Sequence, residues 1–298
     1  MTDIRSFFSQ SKTPTYEEVI ASKQLPHMSL VKEFYKLRDY KPRPVSRCFT
    51  GNPILYHYQL DNLCRVKVNK KSFYETMTDD KLRAFWWERV NHYAPRSRPN
   101  QPALRFFEVW RRLNGIVVFF RPTVAMNLYA RFHATSVLDP TAGWGGRMLG
   151  AMAMGISYTG IDTNVDLKPA YDQMISALGC HCPVKDEEPL MLWQDALYAD
   201  FSAIDYDFVL TSPPYLNLEV YPHMKPYESK TSYYKSFLIP LLDKCRRHIR
   251  RNGKVAFNIS PKMYEELLSF GYEPCLEKIP MLQQKVQGKD KGDMVYVW

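Results

Sequence analysis

From Tyr16 to Tyr40 apolar and charged residues mix at helical spacing, and KPRPVSRCFTGNP (41–53) then reads as irregular chain rich in Pro and Arg. TDDKLRAFWWERVNHY (78–93) predicts a helix. Thr78 stands at the N-cap position, acidic residues fill the first turn, and Leu82, Phe85, Trp86 and Val90 form an apolar stripe. In the adjacent pairs Trp86/Trp87 and Phe106/Phe107, one member of each is expected in the core. APRSRPNQPA (94–103) is a proline-broken loop, and RFFEVWRRLNG (105–115) a short amphipathic helix ended by Gly115. A domain boundary is expected between Gly115 and Pro122.

Beyond it the rhythm changes. PTVAMNLYARFHA (122–134) reads as helix, SVLDP as strand, GRMLGAMAMG as a helix closing at Gly155, and SYTGID (157–162) as strand. A helix around LKPAYDQMISALG follows, then LMLWQDA (190–196) and FVLTSPPY (208–215), a strand that stops at two prolines. The run 233–253 reads as helix and KVAFNIS (254–260) as strand, while QQKVQ and the final MVYVW fit a closing strand pair. Strands alternating with helices predict an α/β fold with a mostly parallel sheet covered on both faces. A basic, largely helical region precedes it.

With 298 residues and 45% apolar content, the chain can bury about 75% of its extended surface, which excludes wholesale disorder. No stretch approaches the ~18 apolar residues of a membrane span, and the first ten residues lack the apolar run of a signal peptide. A soluble, intracellular protein with no membrane partner is expected. Charge divides unevenly: residues 1–120 hold 21 Lys or Arg against 11 Asp or Glu, a net of +10, whereas residues 121–298 net −1. That asymmetry suggests a polyanion-holding part ahead of a part that does chemistry. The six cysteines are scattered. Only Cys180 and Cys182, around His181, are close, so no metal is expected.

At the N-terminus, Ile4, Phe7 and Phe8 share one face of a helical turn. The segment resembles the clamp-binding peptide of replication and repair proteins, which implies a sliding clamp as partner. Met1 stands where that peptide usually carries glutamine.

The first informative site is VLDPTAGWGGRMLG (137–150). An apolar strand delivers Asp139, and Thr141, Ala142, Gly143, Trp144, Gly145 and Gly146 form a tight loop before a helix. Glycines there admit a ligand close to the backbone. The spacing is neither the dinucleotide fingerprint nor a phosphate loop. Asp139 would repel a pyrophosphate and suits an ammonium group. Asp162 ends the next strand, where a carboxylate accepts ribose hydroxyls, and Asp195 follows the third strand, where it can meet an adenine amine. An amine-bearing, phosphate-free nucleoside fits these contacts: S-adenosylmethionine. Trp144 either flanks that cofactor or packs beneath the loop.

The second site is Thr211-Ser212-Pro213-Pro214-Tyr215, directly after an apolar strand. Two prolines cannot continue a parallel ladder and leave stiff main chain with exposed carbonyls. An exocyclic base amine is a poor nucleophile because its lone pair is delocalised into the ring. Hydrogen bonds from its N–H groups to the Pro213 carbonyl and the Ser212 oxygen would draw the nitrogen toward tetrahedral geometry, and Tyr215 would stack on the extruded base.

DPTAGWGGR followed by TSPPY resembles the S-adenosylmethionine-dependent DNA amino-methyltransferases, over about residues 118–298. The resemblance implies a Rossmann-like methyltransferase fold with a seven-stranded sheet. It implies cofactor binding by Asp139, Gly143, Gly145, Asp162 and Asp195, with Phe120, Arg121, Pro122 and Thr123 covering the methionine end. It places the catalytic grip at Ser212, Pro213, Pro214 and Tyr215. Serine at 212 is typical of enzymes making N4-methylcytosine, while the order of the two motifs is more usual among N6-adenine enzymes; cytosine is favoured. No insertion provides a recognition domain. Recognition is therefore expected of the basic residues 1–117, through Arg96, Arg98, Arg111 and Arg112, of the loop 216–230, with Asn217, Tyr221, Lys225 and Lys230, or of a partner. An RNA base amino-methyltransferase, or a non-catalytic binding subunit of a methyltransferase complex, are the alternatives.

Overall fold

The computed structural model describes residues 12–44, 48–68, 70–93, 98, 100–115, 117–184, 188–215, 227–281 and 294–298. Among these are strands β1 (Ser136–Asp139), β2 (Ser157–Asp162), β3 (Leu190–Trp193), β4 (Phe208–Thr211), β5 (Lys254–Ile259), β6 (Glu277–Pro280) and β7 (Met294–Val297). They form one sheet in the order β3-β2-β1-β4-β5-β7-β6. β1 to β5 run parallel, and β7 is antiparallel to β5 and β6. This is the expected Rossmann-like α/β fold with a mostly parallel seven-stranded sheet. The expected closing strand pair is β6 with β7, and QQKVQ lies outside the described residues.

Burial explains the parallel strands. Every residue of β1 and β4 is buried, as a sheet covered on both faces requires. One cover is the helix Gly146–Met154, apolar almost all round and packed on the helix Pro122–Arg131. A side chain at Gly150 would come within 2.9 Å of the Pro122 carbonyl oxygen, so the two helices approach closely there. The other cover is Ile239–His248 with Pro261–Ser269, whose Leu241, Leu242, Cys245 and Leu267 bury against Val209, Val255 and Phe257. A π-helical turn, Tyr234–Leu238, joins the short helix Lys230–Tyr233 to Ile239–His248.

The chain divides into two compact units, one of residues 12–24 and 59–118, the other holding the sheet. Residues 25–58, including the helix His27–Arg38, belong to the sheet unit, which differs from a single break between Gly115 and Pro122. The first unit is helical, with Phe73 packed on Phe107 and Trp110 at ring-centroid distances of 5.3 and 5.1 Å. Phe106 and Phe107 are both buried there, where one of the two was expected. Thr78 proves to be the last residue of the helix Phe73–Thr78. The next helix, Asp80–Tyr93, starts on Asp79, whose carboxylate accepts from the Lys81 and Leu82 N–H groups. Trp87 and Val90 line its buried face, and Phe85 is 51% exposed, so the stripe is rotated from its expected position. Pro102, read as loop, opens the helix Pro102–Asn114, as proline at a first helical position can. Among the described residues no helix is long and apolar enough to cross a membrane.

Candidate active site

The sheet order reverses direction between β1 and β4, and their carboxyl ends open side by side. In an open α/β sheet this is where a ligand crevice forms. β1 ends at Asp139 and leads into the glycine loop; β4 ends at Thr211 and leads into Ser212. The two exits are joined directly: the Thr141 and Thr211 hydroxyl oxygens are 2.6 Å apart. Thr211 Oγ1 donates to Asp139 Oδ1 at 3.0 Å, and a hydroxyl has one hydrogen, so Thr141 donates to Thr211.

Asp139 is fully buried and its oxygens are engaged within the chain. Arg147 Nε (2.6 Å) and the Tyr158 hydroxyl (2.7 Å) donate to Oδ2. This corrects the expectation that Asp139 would face a ligand ammonium. Its partner Arg147 turns inward and donates to the carbonyls of Thr141 (2.5 Å) and Ala142 (3.2 Å). Burial works against the guanidinium charge, but the Asp139 carboxylate outweighs it and holds Arg147 above the usual arginine range. The pair thus fixes the loop's shape from below.

Gly143 and Gly145 adopt left-handed φ values of 59° and 82°. The Gly143 carbonyl accepts from the Tyr171 hydroxyl at 2.9 Å. A Cβ at Gly143 would meet nothing nearer than the Thr141 oxygen at 3.9 Å, so it would project into open space above the turn, a cradle that a side chain would fill. At Gly146 an added Cβ would fall 1.9 Å from the Phe120 oxygen, which places the 119–123 segment against the loop. The Phe120 ring lies over Arg147. Arg121 stacks on Phe49, with its guanidinium 4.5 Å from the ring centroid. Pro122 and Thr123 are buried, and Thr123 Oγ1 donates to the Cys48 carbonyl at 2.9 Å, so these two shape the segment from inside. Trp144 is half-buried, edge-on to Phe119 at 5.9 Å.

Asp162, at the end of β2, is bound to the same turn: Oδ2 accepts from Gly143 N (2.7 Å) and Oδ1 from Asn164 N (2.8 Å). Burial raises its carboxyl to about 6, against the lowering effect of those two N–H groups. Asp195 follows β3, and its Oδ1 accepts from Leu197 N at 3.0 Å. The Lys244 ammonium holds that turn through the Ala196 and Leu197 carbonyls, at 3.0 and 2.8 Å. The Tyr227 phenol is pushed up to about 12 by burial and then by the Asp195 carboxylate.

The Ser-Pro-Pro-Tyr corner is held from its far side. The Tyr233 hydroxyl donates to the Pro214 carbonyl at 2.8 Å. Ser212 Oγ lies 3.4 Å from Asn258 Oδ1, and the Tyr215 hydroxyl 3.4 Å from the Asn258 carbonyl. Among the described residues none donates to the Pro213 carbonyl. Ser212, Pro214 and Tyr215 are half-buried.

The residues expected to hold nucleic acid are spread over both units. Arg98 pairs with Glu108 at 2.8 Å, and Lys230 with Glu266 at 2.6 Å. Arg111 donates to the Val117 carbonyl and lies over Phe107, whereas Arg112 is exposed. Arg96, Asn217, Tyr221 and Lys225, like Ile4, Phe7 and Phe8, lie outside the described residues.

Sequence reasoning missed Arg147, Tyr158, Tyr171, Tyr233 and Asn258. Two carried a signal: Arg147 is a charge inside an otherwise apolar helix, and Asn258 a lone amide in the apolar run of β5. No family model and no curated protein matches the sequence. Among solved structures, TrmN from Thermus thermophilus is 17% identical, over 59% of this chain and 48% of its own, with a TM-score of 0.40. An rRNA methylase from Streptococcus thermophilus is 13% identical, over 61% and 97%, with a TM-score of 0.40. A SAM-dependent methyltransferase from Agrobacterium tumefaciens is 16% identical, over 62% and 64%, also at 0.40. The chain spans about half the length of the TrmN structure.

Proposed function

We propose that the chain is an enzyme that transfers the methyl group of S-adenosylmethionine to the exocyclic amine of a base in DNA, cytosine N4 before adenine N6. The observation that carries this reading is the 2.6 Å link between Thr141 and Thr211, which sets the glycine turn beside the Ser-Pro-Pro-Tyr corner on one sheet edge. The residues at the turn fit the cofactor. Open space stands over Gly143, Asp162 offers a carboxylate for ribose hydroxyls, and no phosphate-binding lysine follows the glycines. Phe120 and Arg121 border the loop on the side assigned to the methionine end.

When bound, the cofactor supplies a methyl group on a sulfonium, whose transfer discharges a cation. The chain's own work is alignment and polarisation. The Pro213 carbonyl and the Ser212 oxygen accept the amine N–H groups and raise the nitrogen's nucleophilicity. Tyr215 stacks on the base. The amine becomes acidic once methylated and loses its proton afterwards, so no strong base is needed at the corner. Serine at 212 favours cytosine, and the net +10 of residues 1–120 supports a polyanionic substrate.

Transfer of labelled methyl to mixed-sequence DNA and RNA, followed by nucleoside analysis, tests the proposal. N4-methylcytosine in DNA is expected. Label only in RNA would move the activity to the second polymer, and cofactor binding without transfer to either would leave a binding subunit.

A further inference from the structure

Asn258 lies on β5, 4% exposed, between the catalytic corner and the start of β7. Its Nδ2 donates to the Met294 carbonyl at 3.2 Å. A carbonyl can only accept, so this bond fixes which way the amide faces: the nitrogen points to Met294 and Oδ1 to Ser212. Ser212 Oγ lies 3.4 Å from that Oδ1. An amide oxygen can only accept, so the contact takes the serine's single hydrogen. The hydroxyl's lone pairs are then left for whatever occupies the corner. The Pro213 carbonyl beside it is likewise an acceptor, and no described residue donates to it. Among the described residues the corner thus offers two acceptors, the Ser212 hydroxyl oxygen and the Pro213 carbonyl.

We infer that Asn258 is a positioning residue that sets the hydroxyl polarity of Ser212 and so makes the corner select a base with an amino group, not a carbonyl, at the reacting position. Cytosine and adenine present donors there; uracil and hypoxanthine present an oxygen that two acceptors repel. A serine free to rotate would donate to that oxygen and accept either kind of base. The inference rests on the methyl-transfer reading of this corner.

The test compares wild type, Asn258→Leu and Asn258→Asp in labelled methyl transfer to mixed-sequence DNA, with cofactor affinity measured in parallel. Competitor DNA carries uracil for cytosine, or hypoxanthine for adenine. Wild type is expected to be inhibited less by the matching substituted competitor than by unsubstituted DNA. Asn258→Leu should keep the wild-type cofactor Kd, lose about three- to tenfold in kcat and lose most of that discrimination. Asn258→Asp keeps an oxygen facing Ser212 but, unless protonated, sets its second oxygen against the Met294 carbonyl, so it should lose stability and kcat while keeping the discrimination between unsubstituted and substituted competitor. Unchanged kcat and discrimination in Asn258→Leu overturn the inference and leave the methyl-transfer reading standing. Equal loss of discrimination in the Leu and Asp variants also overturns it, because it marks a merely structural amide. No transfer by the wild type to DNA or RNA overturns both.

Discussion

Thr141 and Thr211 share a hydrogen bond of 2.6 Å, and Thr211 in turn donates to the buried carboxylate of Asp139. One residue opens the glycine turn and the other precedes Ser212. Movement of either loop is therefore felt at the other, and both are referred to the Asp139–Arg147 pair.

Asp162 supplies a pH signature. Its carboxyl is raised to about 6 by burial, so the folded chain holds this proton more tightly than the unfolded one. Without ligand, this group's contribution to stability is present below about pH 4 and is lost as pH rises through about 6. Ribose hydroxyls donate to the ionised form, so cofactor affinity should rise through about pH 6 and level off above it. Calorimetry from pH 5 to 8 should show that step in wild type and none in Asp162→Asn, which binds more weakly throughout.

Arg147→Met should destabilise the chain by about 3–5 kcal/mol, because it strands a fully buried carboxylate. Adding Asp139→Asn to the same chain should recover part of that loss. Urea denaturation of the three proteins measures it, and additive losses would show that the pair does not act as a unit.

Gly143→Ala separates folding from binding. The left-handed backbone costs about 1–2 kcal/mol with a side chain present, yet the new methyl group meets only open space. The variant should fold and bind cofactor at least about tenfold more weakly, as a methyl group filling the ligand's space would dictate. Wild-type affinity would mean that the ligand does not lie over this turn.

Much of this was legible in the chain itself. β3 (LMLW) and β4 (FVLT) are nearly unbroken apolar runs, and the two motifs stand at the exits of β1 and β4. Sequence missed the internal use of Asp139, since an arginine eight residues on gives no sign that it turns inward. It misread Thr78 because Thr78 and Asp79 are both good caps, and only the end of the preceding helix at Thr78 decides between them. Residues 25–58 were grouped with the basic front by composition, while their place in the sheet unit is set by packing distant in sequence.

Tyr215→Ala should slow methyl transfer at least about tenfold, the value of one stacked base, with cofactor affinity unchanged. Tyr215→Phe keeps the ring while losing the 3.4 Å hydrogen bond to the Asn258 carbonyl, and should retain activity within about threefold. Single-turnover rates with cofactor Kd distinguish this role from cofactor binding, which would move both quantities.

Nucleic-acid affinity should fall with salt, and Arg112→Ala should reduce the slope of log K against log salt by about one. Arg112 is exposed, whereas Arg98 is paired with Glu108, so Arg98→Ala should change the slope less. Fluorescence anisotropy with labelled duplex over a potassium chloride series measures both.

A crystal structure with S-adenosylhomocysteine bound tests the shared site most directly. Ribose hydroxyls on Asp162, with the sulfur over the Gly143–Gly145 turn and facing Ser212 and Pro213, is the predicted result. A nucleoside bound away from Asp162, or a sulfur turned away from the corner, would contradict it.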